Sequence, residues 1–243
     1  MSKRTIIPVD KHWTFKQADN KDSKFLPVAQ FPTNIHLDLI ANGIIADPFI
    51  GKNENDVQWI GEAVWVYKTT FPSPKLSAEE RSSVKAVLAF DGLDTYATVL
   101  LNGQEILKTE SMFIPERVDV TTHLKKDGDN ELVITFESAY LKGCALVEAH
   151  PDHRWGCWNG DTSRLAVRKA QYHWVWSLPF LCWSCTNEIK IGVGLGTNSH
   201  DLRTLATNQS RDIFLPNFRP LFHEQRRRVP KIRRVCSEGR HRR

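Results

Sequence analysis

Residues 169–185, KAQYHWVWSLPFLCWSC, concentrate the side chains of this chain that are most able to do chemistry. The Cys182-x-x-Cys185 pair has the spacing of a dithiol redox centre. That chemistry needs its first cysteine at a helix N-terminus, where the dipole lowers the thiol pKa, and no βαβ pattern surrounds this pair. His150-x-x-His153 with Cys157, joined to the same cysteines, supplies enough ligand types for zinc. The spacing matches no compact finger, so no metal is expected. Trp155, Trp158, Trp174 and Trp176 could stack on the apolar face of a pyranose or simply pack a core. Residue type and spacing leave both readings open for all four. Arg168 and Gln171 could touch a ligand or brace the loop that carries it, and bracing is favoured. Asp91 and Asp94, in DGLD, have the look of an acid/base pair. Their place in a turn between strands suits local hydrogen bonding instead.

The elements that must position these residues read as β-structure. Trp13 and Phe15 alternate in an expected first strand. Residues 31–43, FPTNIHLDLIANG, predict a short helix capped by Thr33 or Asn34, with Ile35 and Leu39 on one face and Asn42-Gly43 as its stop. DPFIGKNEND reads as loop. In AVWVYKTTF the residues Trp65, Tyr67, Thr69 and Phe71 alternate, predicting a half-buried strand. Ser77 and Glu80 resemble a capping box. VKAVLAF (84–90) is a strand, and residues 96–107 form a hairpin with Asn102-Gly103 at its tip, where both positions tolerate positive φ. PERVDVTTHL (115–124) and ELVITFES (131–138) follow, the latter with Leu132, Ile134 and Phe136 on one face. AYLKGCALVEAH (139–150) predicts a helix. Short strands joined by Gly, Asn and Asp turns define an all-β antiparallel sandwich with short helices.

Composition bounds the rest. Hydrophobic residues make up 41% of the 243, enough for an ordinary core. The net charge is +5, yet residues 219–243 hold ten Lys/Arg against two Glu, so the body is mildly acidic. This tail has no aromatic or heptad pattern. It reads as a solvated, disordered segment, and nucleic-acid binding through it is not expected. The longest nearly apolar stretch, Trp174–Trp183, is about half the length of a membrane span. No signal peptide is seen, and five sparse cysteines fit a reducing compartment, so a cytoplasmic protein is expected.

Several of these stretches together resemble the N-terminal domain of glycoside hydrolase family 2. They are WVYKTTF (65–71), FDGLDTYATVLLNGQEIL (90–107), MFIPERVDVTTHL (112–124) and NELVITF (130–136), in that order. HPDHRWGCWNGDTSRLAVRKAQYHW (150–174) is similar to the β-mannosidase branch, as found in cytoplasmic fungal enzymes. The resemblance implies a jelly-roll sandwich of the galactose-binding type over residues 1–175. It implies a complete enzyme that hydrolyses terminal β-D-mannosides with retention, using two glutamates carried on a (β/α)₈ barrel. No room for a barrel follows residue 175, so no catalytic residue is assigned, and no cofactor or metal is implied. The expectation is a non-catalytic domain fragment, with a carbohydrate-binding module, or nucleic-acid binding through the basic tail, as the alternatives; the resemblance also implies that Trp155 and Trp158 pack, and that Trp174 and Trp176, nearest its pocket-facing motif, stay candidates for substrate contact with Arg168 and Gln171.

The likeness stops abruptly. Where the branch continues RKAQYHWGWDWGP, this chain has Val175 for a Gly, Ser177 for an Asp and Leu178 for a Trp. In the family that Asp is taken to reach the sugar, and Ser177 cannot supply its charge. Val64 likewise stands where an acidic residue is common. A change of reading frame or a retained intron near codon 175 would explain the break. Residues 176–218 are therefore expected to be divergent and poorly ordered, followed by the basic tail 219–243. A sandwich cut at this point would leave an unpaired strand edge.

Overall fold

The computed structural model describes residues 4–75, 84–153, 156, 162–169, 185–186 and 189–194. All of them fall within the compact unit Met1–Ser199. Twelve strands and two α-helices are described. In chain order they are β1 (Arg4–Pro8), β2 (Thr14–Gln17), β3 (Leu26–Pro27), α1 (Ile35–Ala41), β4 (Trp65–Pro72), β5 (Lys85–Phe90), β6 (Leu93–Asp94) and β7 (Ala97–Leu101). Then come β8 (Gln104–Thr109), β9 (Glu116–Asp119), β10 (Asp129–Phe136), α2 (Ala139–Ala149), β11 (Cys185–Thr186) and β12 (Ile189–Gly194). The strands form a six-stranded sheet in the order β3-β2-β4-β10-β7-β8, a four-stranded sheet β1-β12-β5-β9, and the pair β11-β6. Every pairing is antiparallel apart from an isolated parallel bridge between Ser111 and Arg168.

Alternation sets the six-stranded sheet. In β4 the residues Trp65, Tyr67, Thr69 and Phe71 are buried while their neighbours are not. In β10 the buried set is Asn130, Leu132, Ile134 and Phe136. Register brings these sets into one row, with Phe15 opposite Tyr67, Tyr67 opposite Ile134, and Ile134 opposite Val99. A slip of one residue would turn the whole row to the other face, so the apolar alternation fixes the pairing. Tyr67 stacks on Phe15 at 5.9 Å and meets Phe136 edge-on at 6.0 Å. Strand β5 contributes Ala86, Leu88 and Phe90 to the same core, which makes the two large sheets the halves of one sandwich.

The β7–β8 hairpin turns at Asn102 (φ 53°) and Gly103 (φ 83°), as the sequence predicts. Asn102 also ties the tip down: its amide donates to the His123 carbonyl at 2.8 Å and to Asn130 Oδ1 at 2.9 Å. Helix α1 is capped by Asn34, whose Oδ1 accepts from the Leu37 N–H at 3.1 Å. Thr33 turns its hydroxyl to Asp38 instead. Ser138 caps α2 in the same way as Asn34 caps α1. Gly143 lets α2 close on the 3-10 turn Ser163–Ala166, since a Cβ there would lie 2.2 Å from the Ser163 carbonyl oxygen.

Four features depart from the sequence reading. The first strand is Arg4–Pro8, ahead of Trp13 and Phe15. DPFIGKNEND, expected to be loop, runs into a 3-10 helix, Asn53–Gly61, whose buried Val57 and Ile60 hold it on the core. Within residues 176–218, expected to be poorly ordered, β11 and β12 are strands. Finally, β12 lies between β1 and β5, so the edge expected to be left open carries a strand. The capping box at Ser77–Glu80 lies outside the described residues.

Candidate functional site

Of the four residues singled out for substrate contact, the structure describes Arg168; Gln171, Trp174 and Trp176 lie outside the described residues. The Arg168 side chain is exposed, and its backbone does the bracing. Arg168 pairs with Ser111, and its carbonyl accepts from the Met112 N–H at 3.0 Å.

The next residue carries the stronger interaction. Lys169 is buried, and its Nζ reaches Asp94 Oδ2 at 2.5 Å with side-chain exposures of 7% and 0%. Asp94 Oδ1 accepts from the hydroxyl of Thr95. The Thr95 carbonyl in turn accepts from the Thr109 hydroxyl at 2.9 Å. An ammonium and a carboxylate removed together from water need each other as partners, because either left alone would be a costly buried charge. Lys169 escaped the sequence reading, which weighed Arg168 and Gln171 on either side of it. The available signal was the second cation of RKAQ, next to apolar Ala170.

The chain returns to the same place. Cys185 pairs with Asp94 and Thr186 with Leu93. Residues 170–184, with all three undescribed candidates, therefore leave Asp94 through Lys169 and come back to it through Cys185. Cys185 is in a strand, and Cys182, the cysteine that redox chemistry would need at a helix N-terminus, lies outside the described residues.

The other acidic residues are braces too. Asp91 accepts from Arg117 at 2.8 Å. Asp38, on α1, accepts from Tyr67 Oη at 2.7 Å and from Thr33 Oγ1 at 2.9 Å. Burial pushes its carboxyl up to about 6, against the pull of those two hydroxyls. His150 closes α2 and His153 follows in the turn beyond it. Among the described residues no group of three or more His, Cys, Asp or Glu could hold a metal ion. Nor is any described helix long and apolar enough to cross a membrane.

Two packed antiparallel sheets with buried, bonded carboxylates define a β-sandwich domain. The chain belongs to the glycosyl hydrolase 2 galactose-binding domain-like family, whose pattern matches residues 13–179. It is 64% identical over 176 residues to beta-mannosidase B of Thermothelomyces thermophilus, and 46% identical over 177 residues to beta-mannosidase B of Neosartorya fischeri. Each alignment takes in 72% of this chain and 20% of the relative, so the chain spans about a fifth of the curated relatives it matches. Among solved structures, beta-D-mannosidase from Dictyoglomus thermophilum superposes with a TM-score of 0.62 at 32% identity, over 77% of this chain and 22% of that one.

Proposed function

We propose that this chain is the non-catalytic N-terminal sandwich module of a β-mannosidase-type enzyme, one that in complete form cleaves terminal β-D-mannosides with retention. The observation that carries the reading is the family match over residues 13–179, together with an alignment to beta-mannosidase B that takes in 72% of this chain and 20% of that enzyme. Two features of the chain agree with it. The buried carboxylates Asp38 and Asp94 are 1% and 0% exposed and bonded to neighbours, so neither is open to a sugar. Phe49 and Ile50 (63% and 64%) and Phe113 and Ile114 (63% and 55%) expose large apolar surfaces, which suits a module that packs against further domains.

In this reading residues 1–175 are the module, 176–218 a divergent segment and 219–243 a basic tail. Trp174, Trp176, Arg168 and Gln171 are the residues of this chain proposed to contact substrate in the complete enzyme. Sparse cysteines support a cytoplasmic setting.

The test is the purified chain on an aryl β-mannoside. No hydrolysis above a mock preparation is expected. Turnover that co-purifies with the chain and falls in Trp176→Ala would refute the reading. Calorimetry with mannose tests the sugar-facing residues. Saturable heat lost in Trp174→Ala or Trp176→Ala supports them, and its absence in the parent chain counts against them.

A further inference from the structure

We infer that Asn42-Gly43 is a site of intrinsic deamidation, and that the reaction there releases the latch joining helix α1 to the edge strand β3. Among the described residues Asn-Gly occurs twice, at 42–43 and at 102–103; Asn159-Gly160 lies outside them. Such steps are open to this chemistry because glycine sets no side chain in front of its own backbone nitrogen. That nitrogen attacks Cγ of the asparagine, ammonia leaves, and a succinimide ring closes. Water then opens the ring at either carbonyl, giving aspartate or isoaspartate. An uncharged amide becomes a carboxylate, with water as the only co-reactant.

The fold decides between the two steps, because the asparagine side chain must be free to turn onto the glycine nitrogen. Asn102 is held on every side. Its Nδ2 donates to the His123 carbonyl and to Asn130 Oδ1, its Oδ1 accepts from the Glu131 N–H at 3.0 Å, and its own N–H donates to the Glu131 carbonyl at 2.8 Å. It also follows β7, which lies inside the six-stranded sheet between β10 and β8. Freeing Asn102 therefore means opening the sheet.

Asn42 sits at the C-terminal end of α1, a helix of seven residues. Its Nδ2 donates to the Pro27 carbonyl at 3.0 Å and to the Asp38 carbonyl at 2.8 Å. Gly43, at φ 68°, donates its N–H to the Ile40 carbonyl, and Ile44 donates to the Leu39 carbonyl, both at 2.9 Å. These are the paired bonds of a Schellman cap. Gly43 and Ile44 are exposed. The last turn of a short helix opens at far lower free energy than an interior strand. One opening of the cap frees the Asn42 side chain and the Gly43 nitrogen together.

The product cannot restore the latch. Pro27 belongs to β3, an edge strand paired with β2 on one side. The Asn42 amide is a donor to β3, whereas a carboxylate only accepts. At position 42 it would face the two carbonyl oxygens that the amide had served, at the helix end where the dipole is already negative. Isoaspartate also lengthens the backbone by one methylene, which moves Gly43 and Ile44 off their acceptors. Both products drive the end of α1 away from β3.

Incubation of the full chain in mildly alkaline buffer, with peptide mapping by mass spectrometry, tests the choice of site. Conversion at Asn42 should outrun conversion at Asn102 by about tenfold or more. Comparable rates, or faster conversion at Asn102, would overturn the inference. So would an unreacted Asn42 in a tube where the free peptide IANGI has been consumed. Hydrogen exchange on Asn42→Ala and Asn42→Asp tests the latch. The Val28 N–H, which donates to the Trp13 carbonyl at 3.0 Å beside β3, is the amide to follow. It should exchange faster in Asn42→Ala than in the parent and fastest in Asn42→Asp, while the β10 amides keep their protection. Parent-like protection of Val28 in Asn42→Asp would overturn the latch. An equal loss of protection across both sheets would overturn it too, because Asn42 would then support the whole sandwich and not one edge.

Discussion

Asp38 gives the sharpest quantitative prediction. Its carboxyl is buried between α1 and β4, and burial raises it to about 6 from an ordinary 3.8. A group whose pKa is raised on folding favours the fold when protonated. Its contribution is therefore complete below pH 3.8 and is lost as pH climbs through about 6. The separation of the two values corresponds to about 3 kcal/mol. For a domain of this size that is roughly 6–12 °C of melting temperature. Asp38→Asn keeps the shape and cannot ionise, and the Tyr67 and Thr33 hydroxyls can turn to serve its amide. Urea unfolding of both proteins, followed by tryptophan fluorescence from pH 4 to 7.5, isolates this one group. The parent should lose about 3 kcal/mol relative to Asp38→Asn across that window. Parallel stability curves for the two proteins would refute the reasoning, and so would a parent that gains on the variant as pH rises.

Two further perturbations follow from local geometry. Gly143→Ala places a methyl 2.2 Å from the Ser163 carbonyl oxygen, so α2 and the Ser163–Ala166 turn must separate; a loss of about 1–3 kcal/mol in chemical denaturation is expected, and an unchanged midpoint would show that the contact yields freely. Asn102→Ala removes the bonds to His123 and Asn130 and the acceptor of the Glu131 N–H, at a residue with φ 53°; a loss of about 2–3 kcal/mol is expected, and one below about 0.5 kcal/mol would mean that water replaces the network.

What the sequence reveals and what it hides divide by the range of the interaction. The hairpin at Asn102-Gly103, the Asn34 cap of α1 and the alternation of Trp65, Tyr67 and Phe71 are local, and each is legible from a few neighbouring residues. Strand β1 has no such mark, because RTIIP carries no alternation and gains its place only by pairing with β12. Asn53–Gly61 reads as loop because its surface is polar, and burial of Val57 and Ile60 is a tertiary fact. The candidate site shows the same split. RKAQ stands out as a motif, but the residue in it that matters to the architecture is Lys169, whose partner is 75 positions away. The carboxylates Asp91 and Asp94 read as turn residues and serve as braces to Arg117 and Lys169.

The family pattern ends at residue 179, yet the sandwich does not. Strand β12 lies beyond that point, and it is the strand that joins β1 to β5. The demand of such a slot is modest. Ladder bonds come from the backbone, so any extended segment of suitable period can make them. Ile189, Ile191 and Val193 alternate with Lys190, Gly192 and Gly194, which meets that requirement without any likeness to the family. The sequence reading set this stretch aside because the family likeness breaks off near residue 175. Loss of β12 should then be far more damaging than loss of the tail. A chain ending at Ser199 should match the full chain in melting temperature and in oligomeric state. Among the described strands, a chain ending at Thr186 strips β1 of its one sheet partner and β5 of one of two, opening two edges to intermolecular pairing. It should aggregate on concentration, seen by light scattering. It should also lose protection in the β1 amides by hydrogen exchange. If the shorter chain melts and exchanges like the longer one, β12 does not hold the sandwich together, and the pairing of β1 has some other source.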